Sequence, residues 1–325
     1  MTGRKTEYTG TPVRTRYAPS PTGFPHIGNY RTALFEWLAA RHSGGKFVLR
    51  VEDTDRKRLV PGSLEAIEEG LKWLGLDWDE GPDAGGPFGP YVQSQRATLY
   101  AAALGQLRAQ GLLYPCYCTR AELARLASAP QGPADEPPRY PGTCRQISRR
   151  ERQARAASGR QPALRFRAPE QPITFVDRVA GTVTEQIATS VGDFVVRRSD
   201  SVVAYQLAVV VDDALMGISQ VVRGADLLGS MARQLALFDA LGYAQPVEFA
   251  HVPLAVDGHG ERLAKRDAAA GVEALRARGM APERVVGALA ASCGLWPVGE
   301  PATPHDVLAA FDPGRITTIP GAIDV

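Results

Sequence analysis

The sequence predicts an α/β fold in which one sheet domain is interrupted by a long insertion and followed by a helical region. A strand beginning near Arg16 breaks into a Pro/Gly-rich turn and then a helix, and a second strand, Lys46–Asp53, ends in carboxylates. Strand and helix patterning lapses after Leu113 and resumes at about Val202. At 325 residues the chain has length for about two domains with an ample core.

Met1–Val13 is polar and reads as a loose tail. Arg16–Asn29 reads Arg-Tyr-Ala-Pro-Ser-Pro-Thr-Gly-Phe-Pro-His-Ile-Gly-Asn. Pro19, Pro21 and Pro25 lack N–H donors and Gly23 and Gly28 tolerate unusual backbone angles, so the strand ends here in a tight turn. A helix is predicted over Tyr30–Arg41, with Asn29 as N-cap and Leu34, Phe35, Trp37 and Leu38 on one face. His26 and exposed backbone N–H groups then converge at a helix N-terminus, where an anion is stabilised. This is a phosphate site in outline, although a Pro-rich loop entering a helix has the same pattern.

In Lys46–Asp53, Phe47, Leu49 and Val51 alternate with Val48, Arg50 and Glu52. Ligands of open α/β sheets bind beyond the carboxyl ends of strands, where Glu52 falls. Ser63–Leu74 and Arg96–Ala109 read as helices and Gly81–Pro90 as a loop. From Leu113 come two close cysteines, a Pro/Gly/Ala-rich stretch at Ala129–Pro138 and an arginine-rich segment; short strand-like runs fill Ile173–Val196. Ile218–Arg223 is a predicted strand, Asp226–Leu241 a helix with Leu227, Met231, Leu235 and Phe238 on one side, and Phe249–Val256 a strand before the turn Asp257–Gly260. After Lys265 the pattern is helical to about Phe311, with Val272, Leu275, Val285, Val286, Leu289 and Leu295 as core.

Hydrophobic content of 44% and charged content of 22% are ordinary for a soluble globular chain. A net charge of +2 is too small to announce a nucleic-acid partner, so any RNA contact must be local. Thr143–Glu170 is the local candidate, with Arg145, Arg149, Arg150, Arg152, Arg155, Arg160, Arg165 and Arg167 against Glu151 and Glu170. A solvated basic helix would look the same. No apolar leader opens the chain, and Asp212 and Asp213 interrupt its most apolar stretch, short of the roughly 18 uncharged residues a membrane span needs. A cytoplasmic protein is expected. Four cysteines are too few and too oddly placed for a secreted disulfide framework, which leaves metal binding or free thiols.

Arg16–Asn29 resembles the first signature of class I aminoacyl-tRNA synthetases, in the form used by the glutamate-specific branch, where Asn29 stands for the last histidine of His-x-Gly-His. Arg262-Leu263-Ala264-Lys265-Arg266 resembles the second signature, Lys-Met-Ser-Lys-Ser. Arg266 is usual in that branch; Ala264 departs from it and removes a hydroxyl. The similarity extends from Arg16 to about Pro320. It implies a Rossmann-like catalytic domain built from 14–95 and 202–265, a zinc-containing acceptor-binding insertion over 96–201, and a helical stem-contact-like region over 266–325, with no anticodon-binding domain.

The implied reaction joins glutamate to ATP, with Mg²⁺ accompanying the nucleotide. The carboxylate nucleophile is already ionised, so the protein needs to position two anions and neutralise developing charge. By resemblance His26 and Lys265 are catalytic, and His26, Gly28, Asn29 and Lys265 bind ATP. Arg16, Ser20, Glu52, Tyr205 and Arg223 match the glutamate-binding positions, arginines meeting carboxylates and Glu52 the ammonium. A guanidinium fork grips a carboxylate in a way that the neutral amide of glutamine cannot equal. Arg223 taken alone also reads as a structural ion-pair residue.

Cys116, Cys118, Tyr140 and Cys144 resemble the zinc site in the insertion of the truncated members of this branch. Three thiolates suit tetrahedral zinc, and the resemblance gives the fourth position to the Tyr140 phenolate. A three-cysteine site with water, or merely buried cysteines, fits the same residues. Cys293 reads as an inert core residue. Asp212 and Asp213 could pair on Mg²⁺ but are expected to end a helix or contact the acceptor.

The truncated members transfer glutamate, without needing tRNA for its activation, to the cyclopentenediol of queuosine at position 34 of tRNA(Asp). Ala204–Asp213, Val222–Leu228 and Tyr140–Cys144 resemble them, whereas Val51-Glu52-Asp53-Thr54-Asp55 reads more like the full-length charging enzymes. Two alternatives stay open: a minimal enzyme charging the 3′ end of tRNA(Glu), and a non-catalytic RNA-binding paralogue.

Overall fold

The structure, a computed structural model, describes residues 12–119, 121–123, 139–256, 271–317 and 321–323. The second signature, Lys265 included, lies outside the described residues. Strand β1 (Arg14–Tyr17), helix α1 (Ile27–His42) and strand β2 (Lys46–Leu49) form a unit in which β1 and β2 pair in parallel, Arg14 opposite Lys46 and Tyr17 opposite Leu49. Parallel neighbours require a crossover, and α1 supplies it. After α2 (Ser63–Trp73) and α3 (Ala97–Ala109), strands β3 (Leu113–Cys116), β4 (Ala163–Phe166) and β7 (Phe194–Arg197) make a separate antiparallel sheet. Helix α4 (Arg149–Ala157) lies between β3 and β4 in the chain.

The hairpin β5 (Ile173–Asp177) and β6 (Gly181–Glu185) adds to a four-stranded sheet of order β6-β5-β9-β8, with β8 (Gln220–Gly224) and β9 (Glu248–Val252) parallel. The Ser219 amide donates to the Arg14 carbonyl at 3.1 Å, which sets β1 beside β8. A helical turn, α5 (Ile187–Ser190), precedes β7; α6 (Tyr205–Leu215) and α7 (Met231–Leu241) flank β8 in the chain. A short strand, β10 (Ala255–Val256), follows β9 and pairs with β11 (Gly321–Ala322). Between them come α8 (Val272–Ala277), α9 (Pro282–Ala291) and α10 (Pro304–Ala309). Among the described residues, no helix is long and apolar enough to cross a membrane.

Three local expectations are corrected. Helix α1 starts at Ile27, with His26 rather than Asn29 as N-cap: the His26 ring accepts from the Gly28 amide at 3.1 Å, and Asn29 Oδ1 accepts from the His26 amide at 3.0 Å. A side chain that reaches back to close the box takes the N3 position, not the cap. The helix is also buried nearly all round, because strands lie on one side and α9 and α10 on the other; Trp37 stacks edge-on against His305 at 5.3 Å. Finally, Asp226–Leu241 opens as a 3₁₀ turn over Ala225–Ser230. The Leu227 carbonyl there accepts from Arg223, while the Met231 amide bonds the Leu228 carbonyl.

The alternation in Lys46–Asp53 does not separate a wet face from a dry one. Phe47, Val48, Leu49 and Arg50 are all fully buried, as a parallel sheet covered on both faces requires. One apolar cluster joins Trp37 and Leu38 of α1 to Leu71 of α2 and to Val285, Val286, Leu289, Cys293 and Leu295. Another seats Leu164, Phe166, Phe194 and Val196 on Leu207, Val211, Leu237 and Phe238 of α6 and α7. The arginine-rich stretch divides in two. Arg165 is buried and Arg145 pairs with Asp193, whereas Arg149 and Arg150 stand exposed on α4.

Candidate active site

A cleft of about 310 Å³ opens where β1, β8 and β9 end. It brings together Arg16, Ser20, His26, Gly28, Asn29, Glu52, Tyr205 and Arg223, all the described residues of the expected substrate sites. Its position beyond the carboxyl ends of parallel strands is where open α/β sheets bind ligands.

At one end stands the N-terminus of α1. Because His26 Nδ1 accepts from the Gly28 amide, a neutral ring carries its proton on Nε2, which can donate to a phosphate oxygen. The Gly28 amide is spent in this bond and the Asn29 amide on the His26 carbonyl at 2.9 Å. Of the anion site expected from open amides, the Gly28 and Asn29 N–H groups are therefore already committed, and the imidazole and the field of the helix remain. A Cβ at Gly28 would crowd the site, sitting 3.0 Å from the His26 ring and 3.2 Å from Ala255 Cβ.

At the other end is a buried charge network. Asp213 Oδ1 accepts from Arg16 Nε at 3.0 Å and Arg50 Nη1 at 2.6 Å. Arg16 Nη1 also reaches Glu36 at 3.5 Å and the Val222 carbonyl at 3.3 Å, and Arg50 Nη2 lies 3.4 Å from Glu52. Asp212 accepts from Arg96 Nε at 2.6 Å, Gln93 Nε2 at 2.7 Å and the Tyr100 hydroxyl at 2.9 Å. These bonds set the place of the two aspartates: both are buried in the last turn of α6, held by Arg16 and Arg50 or by Arg96, Gln93 and Tyr100, and are not arranged as a pair for Mg²⁺. Burial opposes ionisation of Asp213, but Arg16 and Arg50 hold its carboxyl below the usual range. Burial pushes the Glu52 carboxyl up to about 7 even with Arg50 and Arg16 near.

Arg223 is set differently. Its Nε donates to His251 Nε2 at 2.9 Å, Nη1 to Gln234 Oε1 at 2.9 Å and Nη2 to the Leu227 carbonyl at 3.2 Å. Among the described residues no carboxylate pairs with it, so the structural ion-pair reading does not hold there. Arg50, Asp177, Gln234 and His251 were not singled out from the sequence. A lone histidine within the predicted apolar strand Phe249–Val256 is the one visible signal.

In the second sheet, the sulfurs of Cys116, Cys118 and Cys144 lie within 4.8 Å of one another. Cys118 and Cys144 are 3.6 Å apart, and the Tyr140 hydroxyl lies 3.4 Å from the Cys116 sulfur. The Cys144 amide donates to the Tyr140 oxygen at 2.8 Å, and the Arg165 guanidinium sits 3.6 Å from the centre of the Tyr140 ring. Bonding to Cys144 and Tyr140, with Arg165 beside it, pulls the Cys116 thiol down to about 4 against the effect of burial.

The sheet order, the histidine at the head of α1 and the arginine-lined cleft define the catalytic domain of a class I synthetase. Residues 12–298 match the family model of tRNA synthetases class I (E and Q), catalytic domain, and the chain belongs to that family, whose members are ligases. It is 52% identical, over 94% of both chains, to the Glutamyl-Q tRNA(Asp) synthetase of Symbiobacterium thermophilum. To that of Nitratidesulfovibrio vulgaris it is 49% identical over 95% of this chain and 94% of the other. The glutamate-tRNA ligase 1 of Halorhodospira halophila is 44% identical over 96% of this chain but only 65% of its own. The crystal structure of a glutamate tRNA ligase from Elizabethkingia meningosepticum in complex with its amino acid is 30% identical, with a TM-score of 0.82 over 96% of this chain and 67% of that one.

Asp213→Ala would leave Arg16 and Arg50 buried without their shared carboxylate. We predict a loss of about 3–5 kcal/mol in denaturant unfolding; a loss below about 1 kcal/mol would contradict a supporting role for this network.

Proposed function

We propose that the chain activates L-glutamate with ATP, without tRNA, and transfers it to the cyclopentenediol of queuosine at position 34 of tRNA(Asp). The observation that carries this reading is one cleft lined by His26 together with Arg16, Glu52, Tyr205 and Arg223. The names of the relatives matched over nearly their whole length support the choice of acceptor.

In the first step a glutamate carboxylate oxygen attacks the α-phosphorus of ATP, the bond to the bridging oxygen breaks, and pyrophosphate leaves with its electrons. Arg16 and Arg223 hold the carboxylates, Ser20 and Tyr205 border the amino acid, and Glu52 meets the ammonium, whose charge favours the ionised carboxylate over the neutral acid. His26, with Gly28 and Asn29 around it, donates to the phosphates, and Lys265 brings a cation to them. In the second step a hydroxyl of the cyclopentenediol attacks the acyl carbon, AMP departs with the bonding electrons, and the hydroxyl proton is released. Exposed Arg149 and Arg150 offer contacts for RNA phosphates. ATP, Mg²⁺, glutamate and tRNA are all available in the cytoplasm, where we place the protein.

We assign one structural zinc to Cys116, Cys118, Tyr140 and Cys144. The donor set fits the ion: tetrahedral zinc with bonds of about 2.3 Å to sulfur and 2.0 Å to oxygen spaces its ligands about 3.8 Å (S to S) and 3.5 Å (S to O) apart. The observed 3.6 Å and 3.4 Å lie close to these. Burial and the neighbouring Cys116 hold the Tyr140 hydroxyl well above its usual range, against the Cys144 amide, so it is the bound cation that would draw out the phenolate. Zinc there would brace 96–201, an acceptor-binding insertion in which the cysteines and Tyr140 form a buried cluster with Tyr114, Leu123 and Ile147.

With labelled glutamate and ATP, tRNA(Asp) carrying queuosine should take up label that survives trimming of the 3′-terminal adenosine, while tRNA(Asp) lacking queuosine should not. Label on tRNA(Glu) that is released by trimming would instead favour a minimal charging enzyme. Protein purified without added metal should contain about one zinc per chain. A folded chain with none would remove the zinc assignment.

A further inference from the structure

Three arginines line the cleft, Arg16, Arg31 and Arg223, and the charges of Arg16 and Arg223 are treated in opposite ways. Arg16 is met by Asp213 and Glu36. Arg223, 4% exposed, is held by neutral groups throughout: His251 Nε2, Gln234 Oε1, the Leu227 carbonyl and, at 3.3 Å from Nη2, the Met231 sulfur. A guanidinium always donates, so His251 Nε2 must present a lone pair and the ring proton must lie on Nδ1. Asp177 fixes this arrangement. Its Oδ2 lies 2.6 Å from His251 Nδ1, while its Oδ1 accepts from the Val179 and Ala180 amides at 2.9 and 2.8 Å. Asp177 and His251 are 1% and 2% exposed, so water cannot replace either partner.

We propose that His251, locked as the Nδ1–H tautomer by Asp177, is a positioning residue that aims the Arg223 guanidinium into the cleft while leaving its charge for the side-chain carboxylate of the amino-acid substrate. A carboxylate at the position of His251 would have held Arg223 as firmly, but would have neutralised it and admitted an amide side chain. The neutral acceptor gives orientation without compensation, and a buried cation left unpaired penalises the uncharged substrate. Burial lowers the affinity of His251 for a proton, which keeps the ring neutral beside Arg223. The proposal rests on the glutamate-activation reading.

The test compares wild type, His251→Leu, His251→Gln and Asp177→Asn in ATP–pyrophosphate exchange without tRNA, with glutamate and then glutamine as substrate, each variant checked for folding by its melting temperature. His251→Leu removes the acceptor and should raise the KM for glutamate about 10- to 100-fold, with the KM for ATP nearly unchanged and the glutamate-to-glutamine ratio of kcat/KM falling about tenfold or more. Gln at 251 keeps an acceptor oxygen and should restore most of both. Asp177→Asn should fall between them, because the tautomer is no longer fixed. A folded His251→Leu protein with unchanged glutamate KM and ratio would overturn the positioning role, as would a His251→Gln protein as impaired as His251→Leu. Wild type that exchanges with neither amino acid would overturn the glutamate reading itself, and this proposal with it.

Discussion

The Asp213 carboxylate, accepting from both Arg16 and Arg50, is the contact on which the geometry of the cleft depends. Arg16 comes from β1, Arg50 from the residue after β2 and Asp213 from α6, so one oxygen fixes the relative positions of three elements. None of the three is more than 3% exposed. In so dry an environment a lost partner cannot be replaced by water, and the arginines stay where the carboxylate puts them. Asp212 extends the same frame to Arg96, Gln93 and Tyr100, tying α3 to the floor of the site.

A rigid frame of this kind suits the chemistry proposed for it. Joining a carboxylate to a phosphate needs no strong base; it needs two anions held in line and their charge met by donors that do not reorganise. Arg16 is compensated by the frame and contributes mainly direction, whereas Arg223 keeps its charge for a ligand. His26 is likewise prepared, its Nδ1 committed to the Gly28 amide so that Nε2 carries the proton. The second sheet rests on α6 and α7 through an apolar cluster, which links the cysteine cluster to the same helix that carries Asp212 and Asp213.

Much of this was legible in the sequence where the determinants are local. Pro19, Pro21 and Pro25 before His26 announce the turn into α1, and the helices Ser63–Trp73 and Ala97–Ala109 follow from apolar spacing. What depends on distant partners was not legible. Asp177 lies 74 residues from His251, and His251 lies 28 from Arg223; no spacing rule connects them. Asp212 and Asp213 looked like the end of an apolar helix, because adjacent acids after a hydrophobic run usually meet water, and only the fold reveals the arginines that bury them. Asn29 has the residue type of a cap, whereas a histidine that caps through its own ring leaves no pattern in sequence. The hairpin Ile173–Glu185 belongs by composition to the interrupting segment, yet its backbone pairs with β9, since hydrogen bonds and not composition decide which sheet a strand joins.

Glutamate-dependent ATP–pyrophosphate exchange in the absence of tRNA tests most directly whether the buried frame makes the cleft competent on its own. A preformed pocket predicts exchange with glutamate alone, and little or none with glutamine. Exchange that appears only when tRNA(Glu) is added would contradict the account, because the pocket would then need the RNA to complete it.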